Sequence, residues 1–103
     1  MKTVIFLWIY FALSINVALA KDLIIVGATW CNPCVQLKKF IELNKSEFKF
    51  KIEHIDIDKD KQVAKKLNVS KIPASFIFDD SGKLQSKKIG YDSSYYGWLK
   101  ENE

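Results

Sequence analysis

The sequence predicts a small α/β fold: a four-stranded mixed sheet with helices on both faces, its elements in the order β-α-β-α-β-β-α. Three observations carry that expectation. Leu23-Ile24-Ile25-Val26 is a continuous apolar run closed by Gly27 and Ala28, the pattern of a strand buried on both faces. Leu37, Phe40 and Ile41 then recur at helical spacing from Cys34 to about Leu43, with Pro33 in the first turn, where a missing N–H costs nothing. Further on, Asp79-Asp80-Ser81-Gly82 separates two strand-like runs as a hairpin turn.

The remaining elements follow in order. Phe50 and Ile52 lie on one parity and Ile55 and Ile57 on the other, so Phe50–Ile57 reads as a second strand with apolar residues on both faces and a phase change at Glu53 and His54. Asp58 and Asp60 are placed to cap a short helix holding Val63, Ala64 and Leu67, with Lys65 and Lys66 favourably near its C-terminus and Asn68 ending it. Ser75–Phe78 and the more polar Lys83–Ile89 form the hairpin, the latter at an edge. Gly90 breaks the chain, Asp92 or Ser93 caps, and Tyr95, Trp98 and Leu99 mark one face of a terminal helix. The first two strands, separated by a helix, are expected parallel through a right-handed crossover, and the hairpin adds antiparallel strands.

Composition sets the bounds. The chain has 103 residues, enough for one small domain. Sixteen of its first twenty residues are hydrophobic. Lys2, the apolar run Val4–Leu13 and Ala18-Leu19-Ala20 form the pattern of a secretory signal cleaved before Lys21, and an uncleaved anchor is the competing reading. The expected organisation is therefore 1–20 signal and 21–103 folded domain, delivered to a periplasmic or other extracytoplasmic space that tolerates disulfides. The net charge is +4, with every basic residue a lysine and none clustered on one element, which argues against nucleic-acid binding.

Trp30-Cys31-Asn32-Pro33-Cys34 puts two thiols at the junction of a buried strand and a helix. A thiol there meets unpaired N–H groups and the positive end of the helix dipole, which favour the nucleophilic thiolate. Cys31 is the expected nucleophile. Cys34, one turn further in and expected to be more buried, resolves a mixed disulfide on Cys31. Half a zinc site has the same spacing, but the chain holds only these two cysteines and one histidine, so no metal ligand set is assigned.

With Ile72-Pro73 about 40 residues later, then a hairpin, Gly90 and a terminal helix, the chain resembles the thioredoxin superfamily over nearly all of residues 21–103. The resemblance implies a minimal thioredoxin-like fold and thiol–disulfide exchange on protein substrates, with an external electron donor and no cofactor beyond the dithiol. It implies that Pro73 follows a cis bond facing the dithiol, that Ile72 offers its backbone to a substrate strand, and that Trp30 adds an apolar landing surface. Two departures stand out. The buried aspartate typical of the family six residues before the first cysteine is Ile25 here, and a family lysine on the neighbouring strand aligns with His54, which becomes the candidate proton acceptor.

The sequence thus reads as an exported thiol–disulfide oxidoreductase, a reductase rather than an oxidase. Two alternatives stay open: a non-catalytic binding module or subunit with the same fold, and a metal-binding chaperone. With only Lys21 and Asp22 ahead of Leu23 after cleavage, Phe50–Ile57 is expected at a sheet edge, guarded by Lys49, Lys51 and Glu53 or paired with a partner strand or a second copy.

Overall fold

A computed structural model of the chain describes residues 20–103. The signal-or-anchor reading of the N-terminal segment falls almost wholly on residues 1–19, outside that range. Among the described residues, no helix is long and apolar enough to cross a membrane.

The elements come in the expected order: β1 (Lys21–Gly27), α1 (Asn32–Asn44), a 3-10 turn (Lys45–Glu47), β2 (Phe50–Asp56), α2 (Lys61–Lys66), β3 (Ala74–Phe78), β4 (Leu84–Ile89) and α3 (Tyr95–Glu101). The sheet order is β2-β1-β3-β4. β1 pairs parallel with β2, Ile25 opposite His54 and Gly27 opposite Asp56, and antiparallel with β3, Val26 opposite Ala74. β3 and β4 are antiparallel. Among the described residues β2 has a neighbour on one side only, the edge position the sequence predicts.

Alternation along the central strand divides the core. Leu23 and Ile25 pack on one face with Leu37, Ile41, Tyr95 and Leu99, so α1 and α3 share that side. Val26, Ala74 and Phe76 point to the other, where Ala64 of α2 and Leu67, the residue that caps its C-terminal end, join Ile55 and Ile57. The phase change in the second strand is explained by this division. Phe50 and Ile52 meet the first cluster while Ile55 and Ile57 meet the second, so apolar residues of both parities are covered.

Two caps differ from expectation. Asp60 stands at the N-cap of α2 but makes no side-chain cap bond, and Asp58 instead receives the Trp30 indole N–H. Before α3, Asp92 accepts from the backbone N–H and the hydroxyl of Ser94, which occupies the N-cap. Asn68 ends α2 in the left-handed region, φ 56°, a conformation asparagine tolerates.

The Ser75 and Tyr95 hydroxyls share a 2.7 Å bond between β3 and α3, both residues being fully buried. Burial pushes the Tyr95 hydroxyl far above its ordinary pKa, so it stays protonated. Tyr95→Phe leaves the Ser75 hydroxyl without its partner and is expected to cost about 1–3 kcal/mol. In urea unfolding, adding Ser75→Ala should recover part of that loss; strictly additive losses would mean that the bond couples nothing.

Candidate redox site

β1 ends at Gly27, and the chain turns through Ala28 to Trp30 before α1 begins. Cys31 is the N-cap of α1, with extended backbone angles (φ −91°, ψ 110°). Its sulfur accepts the Cys34 backbone N–H at 3.3 Å, so the sulfur itself fills the role a serine or aspartate oxygen plays at other helix starts. Cys31 and Cys34 form a disulfide with Cα atoms 5.2 Å apart. In the reduced pair, a Cys31 thiolate at this N-cap would face this N–H and the positive end of the α1 dipole, which favour it over the thiol.

The accessibility of the pair differs from the sequence expectation. Cys31 is 8% exposed, whereas Cys34 is only partly buried. Cys34 meets the end of β1 at Gly27. A Cβ added there would lie 3.1 Å from both Cβ and Sγ of Cys34, so the absent side chain lets Cys34 rest directly against the strand backbone. Beside this contact lies a cleft of about 610 Å³ between α1 and the edge strand β2, lined by Cys34, His54, Lys38, Asp56, Lys59 and Asp60 among others. Exposure therefore does not single out Cys31 as nucleophile; the helix cap does.

His54 is on the α1 face of β2, opposite Ile25, and shares the cleft with Cys34. Partial burial, and secondarily the Lys38 ammonium, lower its pKa from the ordinary 6.5, against a smaller opposing pull from Glu42. The imidazole is thus neutral at pH 7 and able to accept a proton. Between the lowered value and 6.5 the unfolded chain binds more protons than the native one, so stability rises with pH in that window. His54→Gln should flatten this part of the urea midpoint against pH, and an unchanged slope would assign it to other groups.

The remaining residues singled out in the sequence fall around the same end of the sheet. Trp30 is 68% exposed, its ring held by the 2.8 Å bond from Nε1 to Asp58, which ties the loop after β1 to the loop after β2. The Ile72-Pro73 bond is cis, as expected. Pro73 is fully buried and immediately precedes Ala74, which pairs with Val26 near the end of β1; its carbonyl accepts the Gly90 N–H at 2.7 Å. The Ile72 side chain packs toward the α2-side core, so any contribution to a substrate groove falls to its backbone. Sequence reasoning passed over Gly27, Lys38 and Asp58. Gly27 read only as a strand end, and the other two only as surface charge or a helix cap.

The sequence profile of the family described as Thioredoxin matches residues 11–95. The chain belongs to the thioredoxin family. A thioredoxin of Staphylococcus saprophyticus is 30% identical over 78 residues, 74% of this chain and 74% of that protein. A thioredoxin of Buchnera aphidicola is 37% identical over 65 residues, 61% of this chain and 59% of that protein. The match thus spans less than two thirds of some curated relatives. Among solved structures, the thioredoxin of Trichomonas vaginalis superposes with a TM-score of 0.73 at 25% identity, covering 91% of this chain and 89% of that one. Thioredoxins are thiol–disulfide oxidoreductases, and this chain carries the cysteine pair that such chemistry requires.

Proposed function

We propose that the protein is an exported thioredoxin-type reductase of protein disulfides. The observation that carries the catalytic part is the Cys31 sulfur at the N-cap of α1, bonded to the Cys34 N–H within a closed disulfide. In the reduced protein the Cys31 thiolate attacks a substrate disulfide, displacing one substrate sulfur as thiolate. Cys34, its proton passed to His54 across the shared cleft, then attacks the Cys31 sulfur. The second substrate sulfur leaves, and the Cys31–Cys34 bond re-forms. A dithiol donor outside the chain must return the two electrons. Trp30 offers the exposed apolar surface beside the pair, and the backbone around Ile72 and Pro73 offers the groove.

Direction is argued from the motif. Asn32 is uncharged and Pro33 precedes the resolving cysteine, so the Cys31 thiolate lacks the added stabilisation that a histidine between the thiols gives strong oxidases. Equilibration against glutathione or dithiothreitol buffers should place the potential near about −270 mV, and a value near about −120 mV would make the protein an oxidase. Export is supported by Lys2, the apolar run and Ala18-Leu19-Ala20; recovery of the uncleaved chain in the cytosolic fraction would remove that part. The side of β2 left unpaired among the described residues supports pairing with a partner strand or second copy, which concentration-dependent sedimentation would reveal.

A further inference from the structure

On α1, Cys34, Lys38 and Glu42 follow one another at i, i+4 and i+8, which puts them on one stripe of the helix. Leu37 and Ile41 beside them are buried against the central strand, and Cys34, Lys38 and His54 all line the cleft between α1 and the edge strand β2. Lys38 thus stands about one turn from the resolving cysteine and shares a cleft with the imidazole. It is also uncommitted. The ion pairs among the described residues are Lys45–Glu42, Lys88–Asp92 and Lys100–Glu103, so among them Lys38 has no carboxylate partner, whereas Glu42 is held by Lys45 at 3.1 Å.

We propose that Lys38 is a positioning residue for the resolving half-reaction: its unpaired ammonium in this cleft keeps His54 in the proton-accepting form, an inference that rests on the reading of His54 as acceptor given above. In that step the Cys34 S–H proton passes to the imidazole, the freed electron pair bonds to Cys31 Sγ, and the bond from Cys31 to the substrate breaks. The substrate sulfur leaves with the electrons of that bond and takes the proton from the imidazolium, so charge and protons balance. An imidazole that is already protonated cannot begin this sequence. A nearby ammonium raises the free energy of the imidazolium and leaves the neutral ring almost untouched, so more of the protein stays competent as pH falls. Partial burial is the largest influence on the proton affinity of the ring, followed by Lys38 and, more weakly and with opposite sign, Glu42. Glu53 and Asp56 on β2, and Lys59 and Asp60 beyond it, line the cleft as well, and β1 contributes Ile25 opposite His54, which does not titrate. Lys38 is exposed, so its charge can be removed without opening the core.

His54 is the single histidine of the chain, so proton NMR of the full-length protein follows its titration directly. At low ionic strength, where exposed charges are least screened, Lys38→Gln should move that titration to higher pH and Lys38→Arg should return it. The resolving step is read with excess dithiodipyridine, a neutral disulfide whose first thiopyridone is released as Cys31 is captured and whose second is released as Cys34 closes the pair. The second phase, independent of probe concentration, should slow as pH falls, with Lys38→Gln falling behind wild type by roughly threefold at the acid end and Lys38→Arg keeping pace. A merely structural role would slow that phase equally at every pH. An unmoved titration, or an acid limb that Lys38→Gln leaves in place while His54→Gln abolishes it, would overturn the proposal and spare the parent reading. A limb that persists in His54→Gln would instead remove His54 as acceptor, and the role of Lys38 with it.

Discussion

Cys31→Ser is expected to lower turnover of insulin disulfides by about 10³-fold or more, the scale on which removing a covalent nucleophile acts. The serine hydroxyl can still cap α1, since oxygen is the better capping acceptor, so the helix should be kept while the nucleophile is lost. Circular dichroism should therefore be nearly unchanged. Cys34→Ala should behave differently. It keeps the attacking thiol and removes the resolving one, so a substrate adduct should accumulate on Cys31 and run as a covalent species until reductant is added. A Cys31→Ser protein within tenfold of wild-type turnover would move the chemistry away from this pair and revive the reading of the fold as a binding module.

Leu37→Ala is expected to destabilise the domain by about 2–5 kcal/mol. Leu37 is 0% exposed and packs between α1 and the central strand with Ile25, Ile41 and Tyr95. A domain of this size has a total stability of roughly 5–15 kcal/mol, so the loss should lower the melting temperature by roughly 10–30 °C. Leu43 of the same helix supplies the control. It is 82% exposed, and Leu43→Ala should stay within about 0.5 kcal/mol of the parent. Equal effects at the two positions would mean that α1 does not present the face described above.

The architecture was legible because its signals are local. The apolar run of β1, the spacing of Leu37, Phe40 and Ile41, and the turn at Asp79–Gly82 each depend on a few neighbouring residues, and all three elements formed as read. What was not legible depended on residues far apart in sequence. The close approach of Cys34 to Gly27 and the cleft it shares with β2 are relations across the sheet that no periodicity encodes. Asp58 reads as a helix cap locally, but the folded chain brings the Trp30 indole to it across 28 positions. Tyr91 and Tyr96 illustrate the same limit. Tyr91 joins the ring cluster of Phe40 and Tyr95, whereas Tyr96 stays partly exposed and stacks edge-on against Phe48.

The Lys21 ammonium donates to the backbone carbonyls of Asn102 and Glu103, at 3.0 and 3.1 Å. The start of β1 is therefore stitched to the end of the chain, and both lie at one pole of the sheet. The seven residues of β1 run from that pole to the disulfide loop, a distance of roughly 20 Å at strand rise. A support, dye or fusion protein attached through the C-terminal residues would hold the domain by the pole away from the disulfide loop and leave the cysteine pair facing outward. Immobilised on a bead or displayed on a cell surface in that orientation, the domain would present Trp30 and the disulfide to passing proteins without a spacer.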